Sequence, residues 1–321
     1  MQFILPFYAF LLFDLIVFSF YFVPMNSYYS VFHPLLGLSR VNAIKSLSKM
    51  QVIVRHAYRI RQHTNPLAQR NQKPLIIDDN WLYQVFPSPL NPLVINIGCA
   101  KGGWDIEMAT KHPNLNILGL EVRDSAVELC EQRKKSSQVT NAQFYKSNAN
   151  VDLQRILSSL QEIMQKENIL HDPSKNLLHM ITIQFPDPCF KKKHQKRRVV
   201  NQFFMEILSK YSYPDITHFF IQSDVAEVME DIMNHIHQSN CFDPVSPYSI
   251  QTTRENPNYF SIATEREISC LRRGLPIYRM LYRRNQNPYI PPPLSSDPVQ
   301  TQDQEEEGGE GNGRVPVPSS S

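Results

Sequence analysis

Across 321 residues the chain is 42% hydrophobic and 20% charged, with a formal net charge of +3. These ordinary proportions exclude a fibrous or wholly disordered chain and leave room for one large domain with appendages. The five cysteines (Cys99, Cys130, Cys189, Cys241, Cys270) are scattered and lack C-x-x-C spacing, which argues against a disulfide framework or a structural zinc site. From Asp297 onward six carboxylates and one arginine give −5, so residues 1–296 carry +8, a balance that fits an acidic partner such as nucleic acid.

Residues 2–23 are almost wholly apolar, interrupted by Asp14, and long enough to span a bilayer. The run lacks the basic start of a signal peptide. No acidic residue falls between Asp14 and Asp78, whereas Arg40, Lys45, Lys49, Arg55, Arg59, Arg61, Arg70 and Lys73 do. An apolar segment followed by an acid-free, basic, serine-containing stretch is transit-like and suits import into a plastid bounded by extra membranes. The alternatives are a membrane anchor, with membrane contact through this leader alone, or a cytoplasmic protein begun at Met25 or Met50.

The composition divides the chain into a leader over 1–50, a basic lead-in over 51–92, an α/β domain over 93–285 and an acidic tail over 286–321. Pro87, Pro89 and Pro92 close the lead-in. Strand and helix patterns then alternate. Strands are expected at Leu93–Ile97, Asn116–Glu121, Phe144–Tyr145, Leu177–Ile183 and His218–Gln222. Helices are expected at Trp104–Lys111, Ser125–Lys135, about 151–167, Val200–Lys210 and Val225–His237. Pro276–Arg284 alternates as an edge strand would. Repeated βα units predict a mostly parallel, doubly wound sheet covered on both faces. The tail, rich in Pro, Gln, Glu, Gly and Ser, reads as disordered. The histidines show no ligand-like grouping and no metal is expected.

In such a sheet, ligands bind beyond the strand C-termini. The first strand ends in Gly98-x-x-x-Gly102-Gly103, which lets the backbone approach a ligand and enter a helix. The second ends in Glu121, placed to accept two ribose hydroxyls. The third leads into Asn148 and Ala149, an amide for an adenine edge and an apolar contact for its face. A G-x-G-x-x-G fingerprint is absent, so a pyrophosphate-bearing nicotinamide cofactor fits less well than S-adenosyl-L-methionine. The fourth strand turns on Pro186-Asp187-Pro188, where two prolines stiffen the corner around one carboxylate. Lys191, Lys192, Lys193, Lys196, Arg197 and Arg198 follow. On charge alone that run is a solvated loop. Beside a stiffly held carboxylate, it suggests chemistry on a polyanion.

The glycine loop, the Gly119-Leu120-Glu121-Val122-Arg123 and Ser147-Asn148-Ala149 segments, Phe185-Pro186-Asp187-Pro188, the K-x-x-H-x-K-R-R run, Gln222-Ser223-Asp224 and Thr264-Glu265-Arg266-Glu267 occur in order. Together they resemble the tRNA (guanine-N7)-methyltransferase family over roughly residues 59–284, and the lead-in resembles its cyanobacterial branch. The resemblance implies a seven-stranded, Rossmann-like class I methyltransferase fold. It implies methyl transfer to N7 of the variable-loop guanosine of tRNA, a tRNA (guanine(46)-N7)-methyltransferase activity. It further implies S-adenosyl-L-methionine binding by Asn96, Gly98, Glu121, Arg123, Asn148 and Ala149, with Asp187 as the active-site acid. Lys191 and Asp224 would contact the substrate, and Thr264 and Glu267 would close the pocket near the target base. Asn96 stands where many bacterial members carry an acid, so a contact to the methionine amino group is weakened or moved. Cys189 replaces a common aromatic. The alternatives are a non-catalytic RNA-binding or assembly protein that retains the fold, and a small-molecule methyltransferase.

Overall fold

The computed structural model describes residues 64–290, apart from 171, 173, 174, 249–253 and 255. The apolar leader, the transit-like stretch to residue 63 and the tail beyond Ile290 lie outside the described residues. Among those described, no helix is long and apolar enough to cross a membrane.

Strand β1 (Leu93–Ile97) is buried at every position, as a run of five residues packed on both faces must be. It lies between β2 (Asn116–Glu121) and β4 (Leu178–Gln184), parallel to both. Beyond β2 comes β3 (Ala142–Lys146), and beyond β4 comes β5 (His218–Ser223), also parallel. β7 (Tyr278–Arg284) runs antiparallel to β5 and pairs in turn with the three-residue β6 (Phe242–Pro244). The order is β3-β2-β1-β4-β5-β7-β6. Strand order reverses between β1 and β4, which opens a crevice outside their C-termini.

Among the described residues, seven α-helices accompany the sheet: α1 (Trp81–Val85), α2 (Gly103–Lys111), α3 (Asp124–Ser136), α4 (Ala149–Lys166), α5 (Gln202–Tyr211), α6 (Ala226–Ser239) and α7 (Glu265–Arg272). Leu93, Ile95 and Ile97 point into one core with the buried stripes of α4, α5 and α6, such as Leu153, Ile156, Leu157 and Leu160. Val94 points into the opposite core with Trp104 and Met108 of α2 and Cys130 of α3. The alternation along one strand accounts for helices on both faces.

The strand–helix succession expected for 93–239 is present, with ends displaced by a few residues. Two features differ from expectation. β7 is interior, because β6 covers its outer side. Its alternation has an internal cause: Arg279 and Arg284 are satisfied within the protein. Arg284, only 6% exposed, donates to the carbonyls of Ser209 and Cys241. The lead-in is also more than a connector. Trp81, Leu82 and Phe86 are buried in the main core, and the Trp81 indole donates to Ser159 of α4. Leu75 N–H is accepted by Asp152 at 2.8 Å, a bond that spans 77 positions of sequence.

Gly119 in β2 is needed for space. A Cβ there would lie 2.6 Å from the Phe144 ring and 2.8 Å from Cys99 Sγ. Gly119→Ala is expected to destabilise the protein by about 1–3 kcal/mol through overpacking. Urea unfolding would show this as a lower midpoint with an unchanged slope.

Candidate active site

Gly98 ends β1 with φ +77°, and a Cβ there would meet nothing within 4 Å. Backbone is thus open to a ligand at the crevice. Its N–H and that of Cys99 donate to Leu120 O at 2.8 and 3.1 Å, which clamps the turn onto β2. Gly102, with φ +67°, starts α2 where any side chain would strike Phe144 and Cys130.

Glu121, 3% exposed, stands one strand away. Its Oε2 accepts from Ala100 N at 3.0 Å and from Arg123 Nη2 at 2.8 Å. Its Oε1 accepts from Arg123 N and Nε at 3.0 and 2.9 Å. The carboxylate therefore holds the glycine turn and β2's exit in register, and the Arg123 guanidinium lies on it as a fork.

Asn148 follows β3. Its Oδ1 caps α4 by accepting from Asn150 N, and its Nδ2 donates to Pro66 O and Asn71 O at 2.9 and 3.1 Å. The lead-in is thereby tied across the end of β3, beside the buried Ala149.

Asn96, within β1, donates from Nδ2 to both oxygens of Asp105 on α2, at 3.0 and 3.1 Å. Asp105 is fully buried. Burial pushes its carboxyl up to about 7, against the Asn96 bond that pulls it down. A folded-state value above the ordinary carboxylate one means the folded chain binds the proton more tightly. The associated stability is present at acid pH and is lost as pH rises through about 7. Asp105→Asn should therefore melt progressively higher relative to the parent as pH is raised from about 4 to 7, with little further change above that, in thermal scans of ligand-free protein.

At the end of β4, Phe185 N–H still donates to Gln222 O at 2.7 Å. Phe185 and Cys189, bracketing the Pro-Asp-Pro corner, take φ values of +54° and +46°. Positive φ at non-glycine residues is costly, and such strain concentrates at working sites. Asp187 is exposed there, its Oδ1 accepting from Cys189 N at 3.2 Å. Ile183 is the register partner of Ile97, so the corner leaves β4 directly beside Gly98.

Past the corner, Lys191 and Lys196 are exposed, on and beside a 3-10 helix (Lys192–Arg197). Arg198 corrects the expectation of a continuous cationic grip. It is 8% exposed, donates to Pro188 O and pairs with Glu227 and Asp231 of α6. Two carboxylates and a carbonyl drew it inward, where it braces the corner.

Asp224, just past β5, is paired with Arg266. Thr264 caps α7 by accepting from Glu267 N at 3.1 Å. Glu267, 3% exposed, pairs with Arg279 of β7 at 2.7 Å and accepts from Asn258. Gln222 links the same network to Gln184 at 2.8 Å. Glu265 reaches Lys101 and Arg133 at 3.0 and 3.1 Å. Burial works to raise its carboxyl, but the two cations outweigh burial and hold it below the usual range. The Thr264–Glu267 segment is thus pinned over the glycine turn.

Gly98, Glu121, Asn148 and Asp224 lie at or just past the C-terminal ends of parallel strands and Asp187 on the corner after β4, whereas Thr264 and Glu267 approach from α7 and Lys191 stands in the loop beyond the corner. Sequence reasoning missed Asp105, Gln184 and Asn258, and it read Arg279 as part of the outer cationic surface or a neutraliser of the sheet edge, whereas it is paired with Glu267. Asp105 had a usable signal: it falls on the buried stripe of α2 with Trp104, Met108 and Ala109, where a carboxylate is out of place.

A five-stranded parallel core with β7 inserted antiparallel beside β5, and its ligand crevice at the β1/β4 reversal, defines a Rossmann-like class I methyltransferase. A family model described as "Putative methyltransferase" matches residues 90–280. The tRNA (guanine-N(7)-)-methyltransferase of Prochlorococcus marinus strain NATL1A is 37% identical over 226 residues, covering 70% of this chain and 97% of its own. The enzyme of the same name from Synechococcus elongatus is 37% identical over 231 residues, covering 70% and 96%. That from Thermosynechococcus vestitus is 36% identical over 233 residues, covering 70% and 95%. The chain belongs to the tRNA (guanine-N7)-methyltransferase family.

Proposed function

We propose that the protein transfers a methyl group to N7 of a guanosine in tRNA, at position 46 in the variable loop, with S-adenosyl-L-methionine as donor. One observation carries the reading: the open Gly98 turn and the stiff Asp187 corner leave adjacent strands at the point where strand order reverses. The residues present suit the donor. Glu121, buried at the end of β2 and held by Arg123, presents an ionised carboxylate where the ribose hydroxyls would lie. Gly98, Asn96, Asn148 and Ala149 would line the remainder. When bound, the cofactor supplies an activated methyl group.

Guanine N7 carries a lone pair and no proton, so the protein need not supply a general base. Its residues act by alignment and electrostatics. Asp187, on a backbone fixed by two prolines, sets a negative charge beside the purine ring, where positive charge develops. As an acceptor it also pairs with guanine N1–H and the 2-amino group, which adenine lacks. Asp224 sits at the neighbouring strand end, and Lys191 offers a phosphate contact at the corner. Thr264 and Glu267 shape the wall opposite.

Incubation of the full-length chain with labelled donor and tRNA tests the proposal, with cleavage at N7-methylguanosine mapping the label. Label at the variable-loop guanosine is the expected result. Binding without label would favour an assembly protein, and label on small molecules alone a different methyltransferase. Exposed lysines contact phosphates without reading sequence, so tRNA affinity should fall at least tenfold between about 50 and 200 mM salt. A filter-binding titration measures this. The acid-free basic leader, together with cyanobacterial relatives, supports a plastid location. Any membrane contact would run through that leader.

A further inference from the structure

Four carboxylates among the described residues are buried: Asp105, Glu121, Asp152 and Glu267. Glu121 and Glu267 face guanidinium groups, and Asp152 accepts from a hydroxyl and a backbone N–H. Asp105 accepts from one neighbouring side chain, the neutral amide of Asn96, which reaches both its oxygens. With only that amide and a backbone N–H to stabilise it, the buried charge is costly, and a cation nearby would relieve it.

The geometry around Asn96 says what kind. Its Nδ2 is committed to Asp105, which turns Oδ1 the other way, and that oxygen is buried with no partner. Thr182, the register partner of Asn96 on β4, lies on the same face of the sheet, and its hydroxyl is likewise buried and unpartnered. Two oxygen acceptors and a displaced negative charge lie under the strand end that opens at Gly98. A primary ammonium suits them: compact, cationic and bearing three donors.

We infer that Asp105 is a positioning residue that makes the pocket select a ligand bearing a primary ammonium. It holds the Asn96 amide so that Oδ1 accepts from the ammonium, and it supplies the charge the ammonium requires. The inference rests on the cofactor reading above and locates the amino-acid end of that cofactor. The negative charge is carried by α2, although β1 makes the contact.

Calorimetric titration of the full-length chain with S-adenosylhomocysteine and with its deaminated analogue, 5′-S-(3-carboxypropyl)thioadenosine, tests this. The parent should prefer the ammonium-bearing ligand by about tenfold or more. Asp105→Asn should bring the ratio near one while binding the deaminated ligand as the parent does. Moving the charge onto β1, in Asn96→Asp/Asp105→Asn, should restore the preference. Equal weakening of both ligands in Asp105→Asn would overturn the inference, as would an unchanged ratio. A parent that binds neither ligand would defeat the cofactor reading itself, and this inference with it. If Asp105→Asn does not fold, the parent decides alone. Its preference should narrow as pH falls from about 8 to 6, through the range where Asp105 gains its proton. Of the groups that act on Asp105, Glu121 raises its affinity for that proton, and Cys99 is held protonated by its bond to Cys130 and by burial. A preference constant across that range would then overturn the inference.

Discussion

Asp187→Ala is expected to lower turnover on tRNA by roughly a hundredfold or more while leaving S-adenosylhomocysteine affinity close to the parent's. The carboxylate is exposed and makes a short-range bond to Cys189 N at 3.2 Å, so its removal should leave the fold intact. The corner's shape is set by Pro186, Pro188 and the Phe185 bond to Gln222, none of which depends on the Asp187 side chain. What disappears is a fixed negative charge where the purine ring becomes positive, and with it the acceptor that pairs with guanine. Binding energy placed at that point acts on the transition state more than on the ground state, so the loss should appear in kcat. Single-turnover rates with saturating tRNA would show it. Equal rates for mutant and parent would remove Asp187 from the chemistry.

Glu121→Gln should lower cofactor affinity and stability together. Four donors converge on the carboxylate: Ala100 N, and Arg123 N, Nε and Nη2. The amide cannot neutralise Arg123, and its NH2 group faces other donors. Breaking a largely buried charge pair of this kind costs about 3 kcal/mol, which urea unfolding should detect without ligand. The same change removes an ionised acceptor for ribose, worth about 2 kcal/mol or roughly thirtyfold in S-adenosylhomocysteine affinity. Preserved affinity alongside the stability loss would make Glu121 a clamp for the turn and nothing more.

Much of the sheet was legible in the chain. β1 and β2 are short, mainly apolar runs bounded by turn residues, and the helices between strands show a 3.6-residue stripe; both signals are local. The interior place of β7 was illegible, because its arginines mimic the polar alternation of an edge. The order of the motifs located the crevice, but the pairings inside it escaped. Nothing near Arg198 in sequence announces Glu227 and Asp231, and nothing near Glu267 announces its pairing with Arg279.

The amino-acid sequence by itself determined the succession of strands and helices, the glycine turn and the proline-braced acid, since each is a property of a few adjacent residues. Only the tertiary structure decided that Asp105 stands behind Asn96, that the lead-in's Trp81 and Phe86 complete the core, and that Thr264–Glu267 lies over the glycine turn. Local periodicity reports that a side chain will be buried. Which distant group it meets depends on how the layers stack, and the energies of buried charges and amides are settled by those meetings.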